Sequence, residues 1–260
     1  MASIHPTAII EDGAQIDLTA VVGPYCIVGS EVVLEADVVL KSHVVVSGDT
    51  LIGAGTVVFP FAVLGEVPQD LKFAGEQTVL RIGSRNRIRE HVTINRGTAG
   101  GGGVTRIGND SLFMAGVHVA HDAQVGDRVV MAHSAALAGH CVVGDDVIIG
   151  GLSGVHQWVR IGRGAMIGGL TKISHDVIPF GLVQGPNGRL DGLNLVGLRR
   201  RGVDRAEITA LRAAYGALRQ GEGAFQDRAR RLSDAAQSAL VQEMAAFILT
   251  DSDRQFLTPS

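Results

Sequence analysis

Aromatic residues make up only 4% of this 260-residue chain, and cysteine occurs twice. Two cysteines, Cys26 and Cys141, make no disulfide framework, which agrees with a reducing compartment. Charge of neither sign prevails: 23 Lys and Arg against 26 Asp and Glu leave −3, which gives no electrostatic reason to expect nucleic acid as a partner. No apolar run approaches the ~20 residues needed to span a bilayer. The ordered pattern beginning at Ile4 leaves no room for a cleaved signal peptide, so a cytoplasmic location is expected. Glycine, by contrast, is abundant at 35 residues, yet it follows no strict triplet and only 7 prolines accompany it. Collagen and low-complexity disorder are thereby excluded. Of 32 Val and 35 Gly, 30 and 31 lie before residue 201, so the chain has two compositional regimes.

The first regime repeats every six residues. An aliphatic residue stands at Ile4, Ile10, Ile16, Val22 and onward at each sixth position to Leu64, again at Ile82, Ile88 and Ile94, and from Ile107 to Ile173, with Phe113 and Met131 filling two places. Six residues are too few for a packed unit, but they suit one short strand and one corner of a parallel β-helix, three units to a coil of 18. The 26 sites predict about nine coils, each aliphatic side chain pointing inward over its equivalent 18 residues away, with coils ~4.8 Å apart. Glycine is expected to supply corners that need positive φ. A small residue two positions earlier also faces inward, which makes both cysteines structural. So slender a prism has little room for aromatics.

Two interruptions, 66–79 and 95–106, predict extruded loops, where function tends to be carried. The Gly-rich stretch Ala99 to Gly103 reads as a mobile arm and not as a phosphate-binding loop, because no helix follows it. Six arginines between Arg81 and Arg106 (81, 85, 87, 89, 96 and 106), against only Glu90, suit an acidic protein partner or a phosphate, or else a solvated face. The expected division is a β-helix over 1–188 and a helical domain over 189–260. In the latter, Asp204 with Glu207 resembles a capping box before Ile208, Leu211 and Leu218, and further helices are expected at about Phe225–Leu232 and Ser238–Leu249. Arg199, Arg200 and Arg201 lie between the solenoid and that first helix, where they could grip a diphosphate or serve as a basic linker.

Six of nine histidines fall between His118 and His175. Counting by 18 puts His121, Gly139, Gln157 and His175 on one corner column, with Asp122, His140, Trp158 and Asp176 beside it. An imidazole next to a carboxylate, with a Gly N–H one coil away, makes a general base beside an oxyanion donor. His43, His91, His133 and His175 read as solvated corners. A zinc site from His118, His121 and His140 is geometrically open, although imidazole also serves catalysis without metal.

At these residues the chain resembles the UDP-N-acetylglucosamine O-acyltransferases that begin lipid A synthesis. The resemblance rests on Ile4-His-Pro-Thr-Ala-Ile9, Leu40-Lys-Ser-His-Val-Val-Val46, Gln69-Asp-Leu-Lys-Phe-Ala-Gly-Glu76, Arg87-Ile-Arg-Glu90, Arg96-Gly-Thr98, His118 to Asp122, and Gly197-Leu-Arg-Arg-Arg-Gly202. It implies a left-handed β-helix, a homotrimer with sites between subunits, and transfer of an (R)-3-hydroxyacyl chain from acyl carrier protein to the 3-hydroxyl of UDP-N-acetylglucosamine, with no metal or other cofactor. By the same resemblance His121 is the general base, Gly139 supplies the oxyanion N–H, and Asp122 orients His121. Asp70, Lys72, His118 and His140 line the sugar and acyl site; Gln157, Asn194, Arg200 and Arg201 fall at nucleotide positions; Gln69 bears on the choice between a 3-hydroxyl and a 3-amino acceptor. The acidic carrier protein would be the partner of the arginine-rich stretch.

Two departures stand out: the family's usual Ile-His-Arg-Gly-Thr reads Ile94-Asn-Arg-Gly-Thr98 here, and Val196 replaces an acidic residue. Gly169 occupies the place that limits acyl length, and an open Gly predicts a longer chain. Three rivals carry other expectations. An N-acyltransferase of the same pathway usually bears an extra N-terminal domain; a trimeric zinc hydratase requires metal; a non-catalytic scaffold leaves the loops and the His column unexplained.

Overall fold

A computed structural model describes residues 2–259. Its strands, most of them two residues long, form three sheets of eleven, nine and eight strands, and each hexad contributes to the next sheet in turn. The result is a left-handed parallel β-helix followed by helices. Strand partners are 18 residues apart, as in Val21 with Val39 and His118 with Ala136. Across the first interruption the offset is 30 residues, Val58 to Ile88, and across the second it is 25, Ile88 to Phe113. The excess of 12 and then 7 residues leaves the prism as loops while coils above and below stay paired. The second loop is tighter than the interrupted pattern suggests, because Val104–Ile107 already pairs with Val79–Ile82.

From Val22 to Ile173 every hexad side chain is at most 3% exposed, and burial of each stabilises the prism by roughly 1.5–3 kcal/mol. Among the described residues nothing lies beneath the first coil, so Ile4 remains 42% exposed and Ile10 and Ile16 are half-buried. The inward companions are buried as expected. Cys26 Sγ donates to Lys41 O at 2.7 Å and Cys141 Sγ to His156 O at 3.2 Å. Burial pushes the Cys141 thiol up to about 12. Where the companion is polar its bonds are complete: Asn86 Nδ2 donates to Gly83 O and Gly108 O, and its Oδ1 accepts the Ser111 N–H.

The corners correct one expectation. Positive φ recurs at the third residue after most hexad apolar residues, but most of those residues are not glycine: Tyr25, Asp37, Asp122, His140, Leu152 and Trp158 are among sixteen non-Gly residues with φ between 54° and 67°. The N–H of that residue donates to the preceding coil, as His140 N–H does to His121 O at 3.0 Å, so stacking over-determines a conformation that is unfavourable in isolation. The glycines that directly follow the hexad residue serve close approach instead. A Cβ on Gly53, Gly83 or Gly162 would lie 2.4–2.6 Å from an atom of the next coil.

The sheet continues past 188, because Arg189–Leu193 folds back antiparallel on Gly181–Gln184. Four helices follow: α1 (Leu195–Arg200), α2 (Arg205–Gln220), α3 (Phe225–Ala235) and α4 (Ala239–Leu249). Arg199 and Arg200 therefore sit in the last turn of α1, which Asn194 caps by accepting the Gly197 N–H, and are not in a linker. The expected capping box is absent from α2. The Asp204 side chain caps nothing, and Glu207 instead accepts from Ser238 Oγ and the Leu240 N–H, tying α2 to the start of α4. Among the described residues no helix is long and apolar enough to cross a membrane.

Candidate active site

The corner column predicted by counting is assembled. His121 and Asp122 leave the same strand end, and left-handed backbone at Asp122 (φ 60°) turns its carboxylate back on the neighbouring ring. His121 Nδ1 lies 2.8 Å from Asp122 Oδ2, with side chains 6% and 1% exposed. Asp122 is fixed by more than histidine. Thr98 donates its N–H to Oδ1 at 2.9 Å and its hydroxyl to Oδ2 at 2.6 Å, and the Asp122 N–H donates to Thr105 Oγ1 at 2.7 Å. A carboxylate that accepts from Thr98 twice and from His121 Nδ1–H leaves Nε2 with its lone pair free, the arrangement of an oriented general base.

Thr98 arrives on the second loop. The loop is not the free arm expected from its glycines: Gly101 and Gly103 N–H groups donate to Thr98 O, a Cβ on Gly97 would overlap Gly103, and one on Gly101 would overlap the Asp122 carboxylate. The two loops also hold each other. Glu76 accepts the Ala99 N–H at 3.2 Å, the Arg96 guanidinium lies 5.6 Å from the centre of the Phe73 ring, and Asn95 Nδ2 donates to Val67 O at 2.9 Å.

One coil on, Gly139 lies under the imidazole. A Cβ there would come within 2.5 Å of His121 Cε1, although the backbone at Gly139 is ordinary, so the residue is required for space. Its N–H meets no backbone acceptor among the described residues. His140 meets His121 edge-on at 4.9 Å and stacks flat on Trp158 at 3.8 Å. Burial is the main cause that holds the His140 imidazole below its ordinary value; it does the same to His118, with the nearby His121 adding to it. The Thr93 hydroxyl is 2.8 Å from His118 Nδ1.

Gln69, His118, His121, Gly139 and Gln157 line one groove of about 470 Å³, with Lys172 and His156 at its far side. Asp70, Lys72 and His140 line an adjoining hollow of about 400 Å³ under the loops. The zinc triad does not form: the donor atoms gathered within 4.8 Å belong to His121, Asp122 and His140, while His118 is turned to Thr93. Asn194, Arg200 and Arg201 lie apart, around a cavity of about 700 Å³ beside Met166 and Leu182 of the first sheet. Asn194 is buried, donating to Gly164 O at 3.0 Å. Gly169 is exposed at the corner between Met166–Ile167 of that sheet and Lys172–Ile173 of the sheet that lines the His121 groove.

Comparison with known proteins places this geometry. Residues 176–257 match the family model for the second domain of UDP-N-acetylglucosamine O-acyltransferase. An acyl-(acyl-carrier-protein)–UDP-N-acetylglucosamine O-acyltransferase of Paracoccus denitrificans is 65% identical over 203 residues, 78% of this chain and 77% of the relative. One of Rhizobium johnstonii is 47% identical over 260 residues, 100% of this chain and 96% of the relative. The chain belongs to this acyltransferase family. A solved UDP-N-acetylglucosamine acyltransferase from Campylobacter jejuni superposes with a TM-score of 0.93 at 38% identity, covering 99% of this chain and 100% of that one.

Within this acyltransferase the departures acquire a physical reading. Asn95 is 5% exposed and holds the base of the first loop, so it is drawn away from the groove. Val196 is exposed on α1 at the edge of the arginine cavity. The six arginines do not form one patch: Arg81 pairs with Asp49, Arg85 with Asp110 and Arg89 with Glu90, and the set is spread over two sheets and three separate turns. His43 and His91 are exposed as expected, but they belong to a ladder Tyr25–His43–Phe61–His91 with ring spacings of 4.9–5.2 Å. Trp158 stands in the column beside His121 where the 18-residue count put it, but the reading of the sequence assigned no role to Thr98 or His156. His156 was within reach of the same count, as a neighbour of Gln157, whereas Thr98 sits in a loop of irregular length and carried no such signal.

Proposed function

We propose that the protein transfers an (R)-3-hydroxyacyl chain from the thioester of acyl carrier protein to the glucosamine 3-hydroxyl of UDP-N-acetylglucosamine, the first step of lipid A synthesis. The reading is supported above all by His121, which is bonded to a buried Asp122 through Nδ1 and leaves Nε2 free over the groove. In this scheme Nε2 takes the 3-hydroxyl proton as the oxygen attacks the thioester carbonyl. The tetrahedral oxyanion lies against the Gly139 N–H, and its collapse breaks the C–S bond while the imidazolium returns the proton to the departing thiolate. No metal or other cofactor takes part. Asp122 holds the ring and offsets its transient positive charge. Asp70, Lys72, His118 and His140 receive sugar and acyl groups, the two imidazoles held below their ordinary value chiefly by burial, and Gln157, Asn194, Arg200 and Arg201 serve the nucleotide. The arginine cavity and the His121 groove belong to different faces of one prism, so a cytoplasmic homotrimer that brings two chains to each site accounts for both. The open corner at Gly169 goes with a long acyl chain.

Purified protein incubated with UDP-N-acetylglucosamine and defined hydroxyacyl carriers should yield the 3-O-acyl sugar nucleotide by mass spectrometry, with long chains preferred in competition. His121→Ala should lower the rate by at least ~10²-fold with unchanged circular dichroism. Near-wild-type turnover in the folded variant would refute the base. The hydratase reading predicts instead stoichiometric zinc that is essential for activity.

A further inference from the structure

The C-terminal segment after α4 has no part in the scheme above, yet it ends on the corner that carries His121. Along that corner each coil receives a hydrogen bond from the next: His121 O accepts the His140 N–H at 3.0 Å and Gly139 O the Trp158 N–H at 3.2 Å. The next rung would join Gln157 O to the Asp176 N–H. Asp176 is instead turned to the tail, giving its N–H to Gln255 O and accepting the Leu257 N–H on its own carbonyl. Its fully buried carboxylate accepts Arg160 Nε at 2.7 Å and Ser252 Oγ at 2.7 Å. The tail so held delivers Arg254, whose Nε donates to the vacated Gln157 O at 3.0 Å and whose Nη2 lies 2.7 Å from His156 Nδ1.

A guanidinium is only a donor. His156 Nδ1 must therefore present its lone pair, and the 3.2 Å approach of the same nitrogen to Gln157 O is not a hydrogen bond from the ring. The neutral ring carries its proton on Nε2, which remains a free donor on a side chain lining the His121 groove.

We propose that Arg254 is a positioning residue of the acyl-transfer site: it closes the corner column at Gln157 and locks His156 in the tautomer that offers Nε2–H to a substrate oxygen. The proposal rests on the function above for its kinetic arm only. Of the two substrates the nucleotide sugar brings the most oxygen acceptors, so its binding should suffer when the lock is removed.

The test uses the full-length chain with ring ¹⁵N labelling, His156 being assigned by its loss in His156→Gln. Wild type should show an unprotonated Nδ1 and a protonated Nε2, and Arg254→Met a mixture of tautomers. In kinetics, Arg254→Met should raise KM for UDP-N-acetylglucosamine about 10-fold with kcat and the acyl-carrier KM little changed, as for a charged hydrogen bond lost at one step's distance. Arg254→Lys, which restores a donor, should recover part of it, and Arg254→Met added to His156→Gln should cost clearly less than it does in wild type, leaving only the share of the Gln157 contact. A protonated Nδ1 in wild type, an unchanged KM in Arg254→Met whether or not its Tm falls, or additive effects of the two substitutions would each overturn the proposal. If Arg254→Met does not fold, Arg254→Lys and the wild-type tautomer decide. Should wild type transfer no acyl chain to the sugar nucleotide, the function fails, and the tautomer measurement still judges the lock.

Discussion

At the scale of single residues, the site depends on what is omitted as much as on what is present. Gly139 has no side chain because the His121 ring occupies that space, and Asp122 with Thr98 prevents the ring from swinging aside. Gly139→Ala should therefore fold with wild-type circular dichroism and lose activity on the order of 10²-fold, the scale of a misplaced general base. A crystal structure of the variant should show the imidazole displaced; full activity would mean that the contact is relieved without cost. The histidines around it make a second expectation. His118 and His140 are held below the ordinary value of 6.5, chiefly by burial. The unfolded chain then binds protons at a higher pH than the folded one, so these two groups favour folding above 6.5 and withdraw that stability as pH falls through and below it. Denaturant midpoints between pH 8 and pH 5 should decline with acid, and His118→Gln with His140→Gln should flatten the decline. An equal slope in the double variant would remove these groups from the account.

At the scale of elements, the hexads were legible because each strand repeats one physical requirement, an inward apolar residue every six positions, and stacking makes any exception costly. The loops were legible only as breaks in that period. What fills them was not: Thr98 reaches Asp122 through a 3₁₀ turn at Ala99–Gly101 that no periodicity announces. The helices followed their apolar spacing, but local chemistry misled at α2, where Glu207 is drawn to Ser238 across the helical bundle in preference to its own helix start. Asp176 shows the same limit. Counting placed it above Trp158, yet its partners Arg160, Ser252 and Gln255 come from the preceding coil and from the tail. Because its carboxylate is fully buried against Arg160, Asp176→Ala should destabilise the chain by about 3–5 kcal/mol, the cost of leaving a buried charge without its partner. Urea unfolding would measure this, and limited proteolysis should begin in the released tail after α4. A shift below about 1 kcal/mol would show a pairing of surface strength only.

At the scale of the whole molecule, one chain displays the His121 groove and the arginine cavity on different faces. The His121 groove lies along the second sheet, lined by Ala136, Gly154 and Lys172, whereas Arg200, Arg201 and Asn194 surround a cavity against the first, beside Ile148 and Met166. The sequence count brings residues 18 apart into a column but carries no information across faces, which is why the arginines stayed open between a diphosphate grip and a basic linker until the family resemblance assigned them to the nucleotide. If the same nucleotide sugar meets both sets, a rigid prism cannot bring them together by bending, since its three sheets share one continuous core. A second copy must supply the missing half. Two variants separate this arrangement from a site contained in one chain: His121→Ala, which lacks the base, and Arg200→Ala with Arg201→Ala, which lacks the nucleotide grip. Each alone should be nearly inactive at low nucleotide-sugar concentration. When the two are co-expressed and the rings carrying both tags are isolated, the proposed closed trimer leaves about a third of the sites with an intact His121 from one chain and intact arginines from its neighbour. Activity should recover to that order. A mixture no more active than the sum of its parts would place both halves on one chain, and would require the arginines to act away from the acyl-transfer groove.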